Sequence, residues 1–217
     1  MSGRDEILSG IIDSGVIAVI RMDDTKKLFQ VIDTIHKGGI NCLEITMTVP
    51  DAVAMIREIS NEISGDFILG AGTVLDPETA RSVISAGAEF IISPTLNPDV
   101  IKMAHRYDKV VIPGAFTPTE ILTAWENGAD LVKIFPAALG GPKYFMDIRG
   151  PLPQVRLTAT GGVNLKNAGE FIKAGASCVA IGTALLDKDA IRSKNYSVLT
   201  DKTRELVNST RLAREKM

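Results

Sequence analysis

The sequence predicts an α/β fold, a single (β/α)₈ barrel of the TIM type, on three observations. Eight short β-rich runs alternate with segments of helical period, the units are nearly equal in length, and glycine-bearing turns mark the helix-to-strand joints. Strands are expected at Val16–Ile20, Ile40–Thr46, Phe67–Ala71, Glu89–Ile92, Val110–Ile112, Leu131–Phe135, Val155–Thr160 and Ser177–Ile181. Helices are expected between them near Asp24–His36, Pro50–Ile63, Pro77–Ala86, Pro98–Tyr107, Pro118–Glu126 and Leu165–Ala174, with a shorter one near Lys143–Ile148. An N-terminal helix at about residues 4–14 and a C-terminal helical tail at about 192–217 complete one expected domain over 1–217.

The joints carry the count. Gly38-Gly39, Gly87-Ala88, Gly128-Ala129 and Gly175-Ala176 stand where a helix C-cap needs a residue that tolerates positive φ. Thr117-Pro118-Thr119-Glu120 reads as a capping box with proline at the first helical position. An open doubly wound sheet also alternates strands and helices. The even spacing, and the lack of a strand-to-helix Gly-x-Gly-x-x-Gly turn, favour the closed form.

Composition narrows the function classes. Of 217 residues, 45% are apolar and 23% charged, enough for a sizeable core, and the net charge of −2 is spread over mixed acids and bases. A nucleic-acid partner would need a basic face, so none is expected. Arg4, Asp5 and Glu6 precede a short apolar run that Asp13 interrupts, which is not a secretory leader. No apolar stretch approaches the roughly 18 residues of a membrane span, so no membrane partner is expected. Cys42 and Cys178 each lie inside an apolar strand-like run, where buried free thiols fit better than a disulfide, and the cytoplasm is the expected compartment.

In a barrel, reactive groups come from the C-terminal ends of strands and the loops after them. Leu131-Val132-Lys133-Ile134-Phe135 places a lysine in the middle of an apolar strand. If Lys133 points into the barrel mouth, desolvation lowers its pKa and leaves neutral amine, the form that attacks a ketone. A lysine facing the helices and snorkelling to water is the alternative. Ile40-Asn41-Cys42-Leu43-Glu44-Ile45-Thr46 supplies a carboxyl group, Glu44, with Thr46 on the same face. Such a carboxyl can shuttle protons, or it can be a structural ion pair.

Two glycine turns follow the last two strands: Thr160-Gly161-Gly162-Val163-Asn164, with Asn164 as a possible N-cap, and Ile181-Gly182-Thr183-Ala184. Backbone N–H groups at these positions of a barrel commonly bind phosphate. Gly70-Ala71-Gly72-Thr73 ends the third strand, where small residues clear space and Thr73 can donate a hydrogen bond. Arg21 follows the first strand and is a candidate for gripping a carboxylate. The two histidines, His36 and His105, both fall in helical segments without metal-ligand spacing, so neither a metal nor another cofactor is expected.

Taken in order, these segments resemble the 2-keto-3-deoxy-6-phosphogluconate (KDPG) / 4-hydroxy-2-oxoglutarate (KHG) aldolase family. The resemblance runs from Val16-Ile17-Ala18-Val19-Ile20-Arg21 to Ile181-Gly182-Thr183. Its most specific pieces are Leu43-Glu44-Ile45-Thr46, Gly70-Ala71-Gly72-Thr73-Val74, Ile92-Ser93-Pro94, Pro113-Gly114-Ala115-Phe116-Thr117-Pro118-Thr119-Glu120, Lys133-Ile134-Phe135-Pro136 and Thr160-Gly161-Gly162-Val163. The resemblance implies a (β/α)₈ barrel, usually a homotrimer, that cleaves a small 2-keto-4-hydroxy acid into pyruvate and an aldehyde without a cofactor. It implies Lys133 as the imine-forming lysine and Glu44 as general acid/base. Thr73 and Thr160 would contact substrate, Phe135 and Pro94 would shape the pocket, and Gly161, Gly162, Gly182 and Thr183 would hold a phosphate. Some members carry an arginine four residues after the strand-two glutamate; Thr48 stands there in this chain, and Arg21 is expected to take over its carboxylate contact. KDPG and KHG are the expected substrates. The phosphogalactonate-derived analogue, a barrel isomerase or synthase without an imine, and a non-catalytic sugar-acid sensor are the other readings.

Overall fold

Val16-Ile17-Ala18-Val19-Ile20 has no polar side chain to turn toward water, and all five residues are buried. A strand apolar on both faces needs cover on both, which a parallel sheet wrapped by helices provides. The computed structural model describes residues 3–22, 24–63 and 65–216; the ends of the expected span, residues 1, 2 and 217, lie outside them.

The elements run in strand–helix order. A leading helix α1 (Arg4–Ser14) is followed by β1 (Val16–Ile20), α2 (Thr25–Lys37), β2 (Cys42–Thr46), α3 (Ala52–Glu62), β3 (Ile68–Gly72) and α4 (Pro77–Ala86). Next come β4 (Phe90–Ile92), α5 (Pro98–Arg106), β5 (Val110–Ile112), β6 (Gly114–Ala115), α6 (Pro118–Glu126) and β7 (Val132–Ile134). The chain ends with α7 (Gly141–Arg149), β8 (Leu157–Thr160), α8 (Ala168–Lys173), β9 (Ala176–Ile181), α9 (Lys188–Arg192) and α10 (Tyr196–Arg214). Asp76, Asn97 and Thr117 cap α4, α5 and α6 with proline in the first helical turn, and Thr117 and Glu120 form the expected capping box. Gly39, Gly87, Gly128 and Gly175 all take positive φ at their helix-to-strand joints.

All strand pairs are parallel, in the order β5-β4-β3-β2-β1-β9-β8-β7-β6. The two ends of that order, β5 and β6, are halves of one strand on either side of Pro113. The ring therefore closes on itself with eight strands and leaves no open edge. Proline explains the split. Lys133 N–H donates to Pro113 O at 2.8 Å, but Pro113 has no N–H to return. Earlier along the same seam, Asp130 N–H donates to Val111 O at 3.1 Å, while Val111 N–H donates at 2.8 Å to the Asp130 carboxylate rather than to backbone. Asp130 thus completes the seam with its side chain.

Alternation sorts the strand residues into two cores. Outward residues such as Ala18, Leu43, Ala71, Ile91, Val132, Ala159 and Val179 pack beneath the ring of helices. Inward residues at the other end of the ring, including Ile17, Cys42, Phe90, Val110, Leu131 and Cys178, pack on Ile7, Leu8 and Ile11 of α1. Helix α1 is thus a plug at the N-terminal end of the barrel. Its Arg4 reaches the same Asp130, with Nε and Nη2 at 2.8 and 2.7 Å from Oδ1.

The C-terminal tail departs from the expectation of one helix from Arg192. Asp187 accepts from the N–H groups of Asp189 and Ala190 and starts α9 earlier, and Lys194, at φ 57°, separates α9 from α10. Helix α10 packs on α2 and α8, burying Leu199, Leu206 and Ala213. Thr200 Oγ1 donates to Thr34 O at 3.2 Å, and Tyr196 to Gln30 Oε1 at 2.6 Å.

Asp130 is 4% exposed and holds both the seam and the plug. Replacing it with alanine is expected to lower unfolding stability by about 2–3 kcal/mol, toward the low end of buried-pair losses because Arg4 is partly solvated. Urea unfolding measures this, and a loss under about 0.5 kcal/mol, the size of a surface substitution, would show that neither contact matters.

Candidate active site

Polar inward side chains concentrate at the C-terminal end of the ring. Register places Glu44 beside Val19 on β1 and Gly70 on β3, and places Lys133 beside Gly114 and Thr158. One layer further along the same faces come Thr46 and Gly72, which pair with each other, Phe135 two residues past Lys133, and Thr160 opposite Ala180. Lys133 therefore faces the interior, not the helices. Lys133 is 5% exposed and Glu44 1%.

The space Glu44 occupies is made by glycine. A side chain on Gly72 would collide with Glu44 Oε1, and one on Gly70 with the Phe90 ring. The sequence suggested that these small residues clear room for substrate; their neighbours show that they clear it for the carboxyl group and a core ring. Glu44 Oε2 and Thr160 Oγ1 are buried without a hydrogen-bond partner among the described residues. Unpaired polar atoms are rare in interiors, and two of them in one barrel mouth suit a polar ligand.

Both charged groups are shifted toward neutrality. Burial pushes the Glu44 carboxyl above its usual range, against the opposing pull of the Lys133 and Arg21 cations. Burial likewise pushes the Lys133 ammonium below the ordinary lysine value; the Glu44 charge opposes this and the Arg21 charge adds to it. Lys133 Nζ lies 5.1 Å from the centroid of the Phe135 ring, within cation–π range when charged. By contrast, burial pushes the Cys42 and Cys178 thiols up to about 12 and about 11, which leaves them unreactive.

Above this layer lies a cavity of about 310 Å³. Arg21, Phe135, Thr160, Gly161, Gly162, Gly182 and Thr183 all line it, and no carboxylate does. Gly161 and Gly162 take φ of 86° and 81°, where any side chain would be strained, and a side chain on Gly162 would also meet Ala138. Asn164 accepts from the N–H groups of Lys166 and Asn167, capping a turn ahead of α8 rather than α8 itself. Asn167, which the sequence did not single out, donates to Gly162 O at 3.0 Å and accepts from Asn164 N–H at 2.8 Å. Its side chain fixes the glycine turn. A larger cavity of about 500 Å³ lies outside the barrel wall against the outward-facing Leu43 and Leu69, away from these groups.

The remaining expected residues do not line the 310 Å³ cavity. Thr48 is exposed in the turn after β2, its hydroxyl 2.7 Å from that of the buried Thr46. Thr73 follows β3 with φ 60°, a left-handed conformation costly for a β-branched residue and of the kind that collects at functional sites. Pro94 follows β4, and its carbonyl lies so close to Gly114 that a side chain there could not fit. The Arg21 guanidinium follows the neighbouring strand β1 and turns toward β9, against Gly182. Among the described residues, no three His, Cys, Asp or Glu side chains converge to hold a metal ion, and no helix is long and apolar enough to cross a membrane.

Comparison with known proteins agrees with this geometry. A family model described as KDPG and KHG aldolase matches residues 7–201. A 2-dehydro-3-deoxy-phosphogluconate aldolase of Dickeya dadantii is 35% identical over 193 residues, covering 88% of this chain and 90% of the relative. A KHG/KDPG aldolase of Escherichia coli K12 is 34% identical over 198 residues, 91% and 92% of the two chains. Among solved structures, a KDPG aldolase from Legionella pneumophila, with pyruvate captured at low pH as a covalent carbinolamine intermediate, superposes with a TM-score of 0.85. It is 30% identical and the match covers 92% of this chain and 97% of that one. With the match spanning the ring from its plug helix to the last helix, and a lysine and a glutamate buried together inside it, the chain belongs to the KDPG and KHG aldolase family.

Proposed function

We propose that this protein is a class I aldolase that cleaves 2-keto-3-deoxy-6-phosphogluconate, 4-hydroxy-2-oxoglutarate or both, giving pyruvate and glyceraldehyde 3-phosphate or glyoxylate. The observation that carries the reading is the burial of an amine and a carboxyl group together in the barrel mouth, each shifted toward its neutral form. Neutral Lys133 attacks the C2 ketone to give a carbinolamine. Loss of water leaves a protonated imine, whose positive nitrogen accepts the electron pair when the C3–C4 bond breaks. The C4 hydroxyl loses its proton as the aldehyde forms, and the resulting enamine takes a proton at C3 before hydrolysis returns pyruvate and the free amine. Glu44 relays these protons, and the burial that raises its pKa lets the carboxyl hold a proton more readily than an exposed one.

In this reading Thr73 and Thr160 contact the keto acid and Phe135 and Pro94 shape its pocket. Gly161, Gly162, Gly182 and Thr183 receive the phosphate on backbone N–H groups. Arg21 grips the substrate carboxylate in place of the arginine that Thr48 replaces, a contact for which the guanidinium fork is suited. We extend the reading to a homotrimer in the cytoplasm; the exposed Leu139 and Met146, 75% and 56% accessible, suit a buried subunit contact.

Incubation with pyruvate and borohydride is expected to add one reduced adduct at Lys133, seen by intact mass and peptide mapping and absent from Lys133→Ala. Pyruvate binding without an adduct would remove the imine from the mechanism. Glu44→Gln is expected to slow turnover about a hundredfold or more, the usual loss for general acid/base help, and to lower the Lys133 pKa further, since the carboxylate favours the ammonium. The pH dependence of adduct formation reads that shift, and near-normal turnover would assign the protons to another group. Arg21→Lys is expected to weaken pyruvate binding about tenfold; an unchanged affinity rules out the carboxylate contact. Sedimentation velocity is expected to give a species near three times the chain mass, and a monomer would end the trimer assignment.

A further inference from the structure

At the end of β8 and β9 opposite the mouth, a pocket of about 260 Å³ is bounded by Arg149, Arg156 and Arg214. Ile12, Pro153, Gln154, Gly175 and Ser177 also line it, and no carboxylate or lysine does. The arginines come from three separate places: the last residue of α7, the loop before β8 and the last residue of α10.

The groups that touch these guanidiniums are neutral. Arg214 donates to the carbonyls of Ile12, Asp13 and Ser177, at 3.0 Å for Asp13 and 2.6 Å for Ser177. Arg156 lies over the Trp125 ring at 5.9 Å. Half-buried Arg149 packs against Gly175, and among the described residues it makes no ion pair or hydrogen bond. Nearby acids are engaged elsewhere: Asp13 accepts from Ser9, Asp147 pairs with Lys143, and Glu215 pairs with Arg211.

Three like charges lining one pocket repel one another, and the carbonyls and ring that hold them carry no net charge to offset this. An anion would. That all three cations are arginine points to an oxyanion, because the planar guanidinium matches phosphate oxygens in pairs. We propose that this pocket is a second anion site, separate from the barrel mouth, for a small ligand bearing a phosphate or diphosphate group. The site is partly preorganised: Arg214 is fixed by backbone carbonyls, while the exposed Arg156 rests over the Trp125 ring.

The test is calorimetric titration of the full chain with inorganic pyrophosphate at constant ionic strength, in wild type, in Arg149→Gln/Arg156→Gln and in Arg149→Lys. Wild type is expected to show a class of sites that the double variant binds about tenfold more weakly or loses. Turnover, and any competitive inhibition by pyrophosphate at the mouth, should be unchanged in that variant. Arg149→Lys keeps the charge and risks little structurally, and it is expected to bind with intermediate affinity because the fork is lost. A parallel titration with ADP separates a nucleotide from inorganic diphosphate as the better ligand, and either result supports the site. Identical isotherms in wild type and double variant, or binding that substrate displaces completely, would overturn it.

Discussion

The site depends on an electrostatic coupling that only a closed ring permits. Lys133 on β7 and Glu44 on β2 stand four strand steps apart whichever way the ring is followed, which makes them diametrically opposite. In an open sheet of the same order they would be about 19 Å apart at the usual strand spacing. Closure turns that separation into a meeting across the barrel axis, close enough for each charge to act on the other's ionisation. Closure in turn rests on the seam at Pro113. There Lys133 N–H bonds to Pro113 O, so the residue that completes the ring also carries the amine.

Two ionisable groups in a barrel are costly, and the rest of the interior is arranged around that cost. The opposite end is sealed by α1 and filled with apolar side chains, so water reaches the pair from the mouth side only. The pKa shifts give the sign of the cost. Lys133, lowered below 10.5, binds a proton less readily than it would in the unfolded chain, so stability rises with pH up to about that value. Glu44, raised above 4.5, keeps its proton longer in the fold, so stability falls as pH rises through that shifted value. Near neutrality both groups oppose folding, a conflict of the kind that marks functional sites.

Much of this was legible in the sequence because alternation has a fixed period. Once Leu131–Phe135 and Ile40–Thr46 are read as strands, Lys133 shares a face with Leu131 and Phe135, and Glu44 with Cys42 and Thr46, as in the fold. Glycine at helix ends was equally readable, since positive φ is a local demand. What escaped was non-local. Nothing near Asp130 announces that its carboxylate stands in for a backbone carbonyl as the acceptor of the Val111 N–H while binding Arg4 from the other end of the chain. The break at Lys194 escaped because one left-handed residue leaves the helical period nearly intact. Asn167 escaped because its partner, the Gly162 carbonyl, is defined only once the turn has formed.

The charge around the mouth is lopsided, and this bears on how a substrate would sit. The β1, β8 and β9 side carries the Arg21 guanidinium and two glycine turns. The β2 and β3 side offers uncharged hydroxyls, with Thr46 and Thr48 bonded to each other and Thr73 held in a strained conformation. A keto acid with a phosphate at its far end carries two anionic groups, and the proposed contacts give the phosphate the glycine turns. Arg21 lines the same cavity as those turns, so the carboxylate it would grip must lie on that side as well, or be held by hydroxyls alone past the β2 and β3 ends. A neutral hydroxyl pair gives a carboxylate less attraction than an arginine. With Thr48 in that position, the proposed contacts would place more of the substrate's charge on the β1, β8 and β9 side, where Asn167 already holds the Gly162 turn in place.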